Sequence, residues 1–156
     1  MFNEIKQFVD AQGWNYQIMS KSGHRNIIKT QLTGHNGSMG FIIDVREATV
    51  LVLALCQVHI LPQKRLAMAE LLTRINFKLL LGNFEMNYET GEVRFSISWR
   101  YDAAQPAINS ALEHNIFTCA AILDHFLPAI MRVNYSNISP VAVLKEVEEA
   151  TLFPPN

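Results

Sequence analysis

The sequence predicts an α+β fold: a twisted antiparallel sheet with helices mainly on one face, in the order α-β-β-β-β-α-β-β-α-α. Three observations carry this. Runs of alternating apolar and polar residues recur between Trp14 and Val58 and again between Phe84 and Tyr101. Short turn signals, Asn36-Gly37 and Glu89-Thr90-Gly91, join neighbouring runs as hairpins. Stretches with apolar residues at helical spacing are interspersed among the strands rather than alternating with them one for one.

The elements follow in order. Asn3 to Gln12 reads as a short amphipathic helix with Ile5, Phe8 and Val9 on one side and Gly13 at its end. Trp14, Tyr16 and Ile18 alternate with polar neighbours as a half-buried strand, and Lys21 to Arg25 is a polar loop. Ile27 to Thr33 and Met39 to Val45 form a hairpin, with Asn36-Gly37 expected to supply the positive φ angles of a type I′ turn. After a bend at Arg46-Glu47-Ala48, Thr49 to Val58 is the fourth strand. Pro62 opens a helix expected to run to about Leu81, with Met68, Leu72, Ile75 and Leu79 as its stripe and Gly82 just beyond. Phe84 to Tyr88 and Val93 to Tyr101 are the second hairpin. Ser110 and Glu113 have capping-box spacing for a third helix, which Pro128 is expected to kink or end. Ser139-Pro140 begins a last helix, Val141 to Ala150.

The fourth strand is unusual. Val50, Val52, Ala54 and Cys56 fall on one face, while Leu51, Leu53 and Leu55 fall on the other. A strand apolar on both faces calls for cover on both. Helices supply one cover; a second copy of the chain is the simplest source of the other, so Leu51, Leu53 and Leu55 are the expected partner or dimer interface. Arg94, Ser96, Ser98 and Arg100 form a polar sheet face on the last strand.

Composition narrows the classes. At 156 residues and 17.7 kDa the chain has the size of one domain, residues 1–156. Apolar residues make up 49% and charged residues 17%, too greasy for disorder. A net charge of −1 leaves no basic field for a nucleic acid, and Trp99 and Tyr101 point away from the polar stripe, so no stacking platform interleaves with Arg94 and Arg100. The run Ala48 to Leu55 falls far short of the ~20 apolar residues of a membrane span. With no basic start leading into an apolar stretch, the expected setting is the cytoplasm, without membrane insertion.

No constellation supports catalysis or a cofactor. His24, His35, His59, His114 and His125 are scattered, and Cys56 and Cys119 lie in apolar surroundings as core thiols. His114 and Cys119, five apart on one helix, point about 140° apart. Asp124-His125 lacks a serine elbow, and adjacent helical residues do not face each other. The glycines around His35 lie between two strands, whereas a phosphate-cradling loop leads from a strand into a helix. Asn76, beside the core stripe, is expected to satisfy backbone groups where its helix meets the strand starting at Asn83.

One stretch carries a resemblance. Leu71-Leu72-Thr73-Arg74-Ile75-Asn76, then Gly82-Asn83-Phe84-Glu85-Met86-Asn87-Tyr88-Glu89-Thr90-Gly91-Glu92-Val93-Arg94-Phe95, resembles the helix Asn, Gly-led strand, acidic-x-Gly turn and aromatic return strand of the YbjN-domain family. Asp124 and Pro128 resemble its D-x-x-x-P element. The likeness spans roughly Trp14 to Met131, which leaves residues 134–156 as a C-terminal helical addition. The family is described as bacterial sensory transduction regulators. Membership implies a fold similar to type III secretion chaperones, commonly homodimeric, with structural roles for Asn76, Gly82, Gly91, Asp124 and Pro128 and no catalytic residues to transfer. The sequence therefore points to a non-catalytic homodimeric adaptor that docks an unknown protein or peptide. The alternative is a small-molecule sensor with an apolar pocket between sheet and helices, lined by Phe84, Met86, Phe95 and Trp99.

Overall fold

Six strands form one sheet in the computed structural model, which describes residues 2–21, 25–100 and 108–152. They are β1 (Tyr16–Lys21), β2 (Arg25–Thr33), β3 (Ser38–Arg46), β4 (Thr49–Cys56), β5 (Asn83–Met86) and β6 (Val93–Arg100). Helices α1 (Phe2–Ala11), α2 (Arg65–Asn76), α3 (Ile108–Tyr135) and α4 (Pro140–Leu152) are interspersed in the expected order. The sheet runs β1-β2-β3-β4-β6-β5 and every pairing is antiparallel. Four sequential strands make a meander, and the second hairpin returns so that β6 lies against β4.

The inner face packs on α3. Ile28, Phe41, Ile43, Val52, Ala54, Phe95 and Ile97 are buried there beneath Leu112, Ile116, Cys119, Leu123, Leu127, Ile130 and Val133. The α3 positions recur every three or four residues, so one stripe of a long helix fills the centre of the core. Residues 111–135 are long and apolar enough to cross a membrane by length and composition alone; in this fold the stripe faces the sheet. At one end, Phe8 of α1 meets Trp14 and Phe117 edge-on, and Trp14 meets Phe41, which seats α1 on the same side of the sheet.

Several local expectations need correction. The β2–β3 connection is a four-residue loop, residues 34–37, closed by the Gly34 N–H donating to the Gly37 carbonyl at 2.8 Å. Among the described residues the positive-φ glycines are Gly13, Gly82 and Gly91, so Gly37 does not make a type I′ turn. Close approach explains its glycines instead: a Cβ on Gly34 would overlap the Asp124 carboxylate, and one on Gly37 would stand 2.7 Å from Leu127. Helix α2 stops at Asn76 rather than near Leu81, after a separate 3-10 turn at Pro62–Lys64. The third helix already starts at Ile108, so Ser110 lies inside it and is not its cap. It continues through Pro128 to Tyr135. Strands β4 and β5 end at Cys56 and Met86, two residues earlier than alternation indicates. The end of the second hairpin at Tyr101 and most of the 21–25 loop lie outside the described residues.

Proline in mid-helix has a use here. Lacking an N–H, Pro128 leaves the carbonyl of Asp124, four residues back, without its helical donor. The Asn36 side-chain amide donates to that carbonyl at 3.0 Å. The Asp124 carboxylate accepts the backbone N–H groups of His35 and Asn36 at 3.0 and 2.8 Å. Asp124 and Pro128 thus latch α3 to the β2–β3 loop with three hydrogen bonds.

Candidate functional site

The register unites two sets of residues that the sequence left separate. Leu51 pairs with Ser98, Leu53 with Ser96 and Leu55 with Arg94, so the β4 leucines and the β6 polar stripe lie side by side on one face. Ile42 stands opposite Leu53 and Gly40 opposite Leu55 on β3, and Lys29 of β2 stands opposite Ile42. This is the outer face. The helices pack on the inner one, and among the described residues nothing helical covers the outer leucines. Leu53, at the centre, is 7% exposed, whereas Leu51 and Leu55 are half-buried.

Both ends of this face carry charge. At one end the side chain of Asp44, buried on the outer face, receives Arg25 through two hydrogen bonds at 2.9 and 2.5 Å and Arg46 through two at 3.2 and 2.9 Å. Burial pushes the Asp44 carboxyl up, but the hydrogen bonds from the two guanidinium groups outweigh it and hold the pKa below the usual carboxylate range. Arg46 pairs across the sheet with Thr49, and Thr49 with Arg100. Arg25, Arg46 and Arg100 therefore stand in one row across the sheet, since Arg25 precedes Asn26, the partner of Val45. At the other end, Glu85 accepts from Arg94 at 2.7 Å, Ser96 at 2.7 Å and Asn83 at 3.2 Å. Burial raises the Glu85 pKa, while the hydrogen bonds from Ser96 and Arg94 more than reverse that shift.

The Asp44 cluster yields a pH prediction. A carboxyl whose folded pKa is depressed adds stability above its unfolded pKa of about 3.9, and that stability is lost as pH falls toward the folded value. Asp44→Asn is expected to lower stability by ~1–3 kcal/mol at pH 7. The gap between variant and wild type should close below about pH 3.9, as read from urea unfolding across pH. A constant gap at every pH would contradict the ion-paired role.

The remaining singled-out residues take structural positions. The Asn76 amide donates to the Phe84 carbonyl at 3.0 Å and accepts the Phe84 N–H at 2.7 Å, joining the end of α2 to β5. Gly82 has φ 73°, and a Cβ there would stand 2.6 Å from both the Phe95 ring and the Ser96 carbonyl oxygen. Gly91 has φ 78°; its carbonyl accepts the Ile60 N–H at 2.8 Å, and a Cβ would collide with the Ile60 backbone.

Three buried polar residues, Asp44, Asn115 and Asn134, escaped the sequence reading. Asn134, fully buried on α3, accepts the Leu61 N–H at 2.9 Å and donates to the His59 carbonyl at 3.3 Å, clamping the segment after β4. Its only signal is an amide inside an apolar helix. Asp44 is the lone acid in the apolar run Phe41 to Val45, on the outward parity.

Among the described residues reactive chemistry does not converge. Burial pushes the Cys119 thiol up to about 12, and its Sγ lies against the Val52 and Phe95 carbonyls; burial also raises Cys56. Among the described residues no three His, Cys, Asp or Glu side chains cluster as a metal site. His59 contacts the Thr90 carbonyl, His125 packs on the Phe126 ring, and His114 is exposed; His24 lies outside the described residues. Phe84 and Phe95 stack edge-to-face with each other, and Phe84 with Phe126, so these aromatics pack the space between sheet and helices.

A second surface lies on the helical side. Phe77 and Leu80, in the turn after α2, are 91% and 104% exposed. They adjoin an open hollow of about 570 Å³ between α2 and α4, lined by Thr73, Phe77, Val141 and Leu144 among others.

Comparison with known proteins agrees with this architecture. No curated protein matches the sequence. A structure described as YbjN, "a putative transcription regulator from E. coli", superposes with a TM-score of 0.56 at 13% identity, covering 83% of this chain and 92% of that one. An uncharacterized protein from Methanothermobacter thermautotrophicus superposes with a TM-score of 0.49 at 11% identity, covering 94% and 96%. The YbjN family, described as "Putative bacterial sensory transduction regulator", matches residues 2–130, which leaves α4 outside the matched span. Over most of its length, then, the chain belongs to the YbjN family.

Proposed function

We propose that the protein is a non-catalytic, homodimeric binding protein of the cytoplasm that docks a peptide or protein partner, as an adaptor or chaperone does, in the regulation of bacterial signal transduction. The observation that carries this reading is the outer sheet face, with Ile42, Leu51, Leu53 and Leu55 at its middle and no helix over them among the described residues. A sheet face of this composition gains from burial, at ~25 cal/mol per Å² of apolar surface removed from water. The scattered histidines and buried thiols offer no acid, base or nucleophile set that would favour catalysis.

With the outer face taken by a second copy, the helical side is left for the partner. Phe77, Leu80 and the neighbouring hollow form an apolar patch rimmed by the Lys78–Glu148 ion pair, the anatomy of a docking surface. In capture from a bacterial lysate, wild-type protein is expected to retain a partner that Phe77→Ser fails to retain. Phe77 is so exposed that the variant should melt like wild type. Equal retention by both proteins would remove this patch as the docking site.

A further inference from the structure

We propose that the second copy lies on the outer sheet face in one orientation, its strands antiparallel to those beneath it and β6 over β6, with the two-fold axis crossing the sheet at the row of Leu53 and Ser96. This rests on the homodimer reading above and adds which way round the copies meet.

The charges on the face decide the orientation. Face-to-face packing with aligned strands admits two in-plane two-fold axes, one along the strands and one across them. An axis along the strands would set the Arg25–Arg46–Arg100 row of one copy against the same row of the other. Asp44 offsets one of the three positive charges, and the two that remain on each copy, brought together there, would oppose association. An axis across the strands exchanges the two ends instead, and the one like-charge contact it leaves is the exposed Lys29, two strands from Leu53 on the axial row, opposite its own copy.

Strand β6 is built for that exchange. Arg100, at its end, is exposed and makes no ion pair among the described residues; Glu92, just before its start, is half-buried and makes none either. Eight residues separate them, an even number, so both project to the outer face about 26 Å apart. Their midpoint is Ser96, which pairs with Leu53, the central and most buried outer leucine. An axis through that row sets Arg100 of each copy against Glu92 of the other, twice per dimer, and stacks Leu53 on Leu53.

The apolar residues fit the same arrangement. Leu51 and Leu55 lie equally far from Leu53 along β4, so Leu51 of one copy meets Leu55 of the other. Beside Leu55, Gly40 leaves an open hollow of about 360 Å³ that Lys29, Ile42 and Glu92 also line. The Leu51 side chain of the second copy enters it, a knob meeting a hole on each side of the axis. A Cβ on Gly40 would meet Leu55 at 3.6 Å, ordinary contact, so space inside the chain does not require this glycine.

Sedimentation equilibrium of wild type, Arg100→Glu, Glu92→Arg and the Arg100→Glu/Glu92→Arg double variant tests the orientation. Each single reversal is expected to weaken dimerisation about tenfold or more, because like charges then face each other twice. The double variant should recover close to wild-type affinity, since the pairs are restored with reversed sign. Gly40→Ala should weaken association while the dissociated chain still unfolds cooperatively. A wild-type dimer indifferent to both single reversals, or a double variant as weak as the singles combined, would overturn the orientation and leave the homodimer standing. A wild type of single-chain mass at every concentration would overturn both.

Discussion

Asn76→Leu is expected to cost several kcal/mol of stability while keeping the number of side-chain heavy atoms the same. The amide makes a reciprocal pair of bonds with the Phe84 backbone, donating at 3.0 Å and accepting at 2.7 Å. Leucine removes both, and two backbone groups in a part-buried junction lose their partners at ~1–3 kcal/mol each. For a chain of this size each kcal/mol lowers the melting temperature by roughly 2–4 °C, so a fall of about 5–15 °C should be seen by calorimetry. Asn76→Asp separates the two bonds: a carboxylate still accepts the Phe84 N–H but donates nothing to its carbonyl, so its loss should be intermediate. A melting temperature unmoved by Asn76→Leu would contradict the junction role.

That junction was legible in the sequence because it is local. An amide next to an apolar stripe, seven residues before a strand, has few other uses. The same holds for the second hairpin, where alternation is strict and Gly91 marks the turn with φ 78°. Long-range features were less legible. Asn36-Gly37 looks like a two-residue turn, yet Asp124, 88 residues away, supplies acceptors for the loop backbone and so removes the need for positive φ there. Helix α2 stops at Asn76, whose side chain is bonded to Phe84, although the residues beyond it, Phe77 to Leu81, are apolar enough to continue the pattern.

The outer face shows the limit most clearly. Alternation assigns each strand's residues to one face or the other, and it separated the β4 leucines from the β6 polar stripe only because nothing local says that β6 pairs with β4. Register is a property of the pairing. Once Leu53 is opposite both Ile42 and Ser96, an apolar middle, an arginine row and a Glu85–Arg94 end become one surface. Asp44, which the sequence alone did not single out, is the counter-charge that two of those arginines share.

Burying that surface against a second copy makes Leu53 the most sensitive position on it. Leu53→Glu would bring two carboxylates together at the two-fold axis in apolar surroundings, a desolvation cost of several kcal/mol per ion. Affinity should fall by a factor of about a thousand for each ~4 kcal/mol lost. Leu53→Thr, which suits a half-buried strand, provides a milder companion whose fold is preserved.

Sedimentation equilibrium on wild type, Leu53→Glu and Leu53→Thr, each checked for cooperative unfolding, puts the matter most directly. Wild type should sediment at twice the single-chain mass of 17.7 kDa, Leu53→Thr should dissociate at higher concentration than wild type, and Leu53→Glu, at a side chain only 7% exposed in the single chain, should be monomeric under all conditions where it still unfolds cooperatively. A wild type that stays monomeric across the series, or a Leu53→Glu protein that associates as tightly as wild type, would contradict the claim that one sheet face of this chain is completed by another.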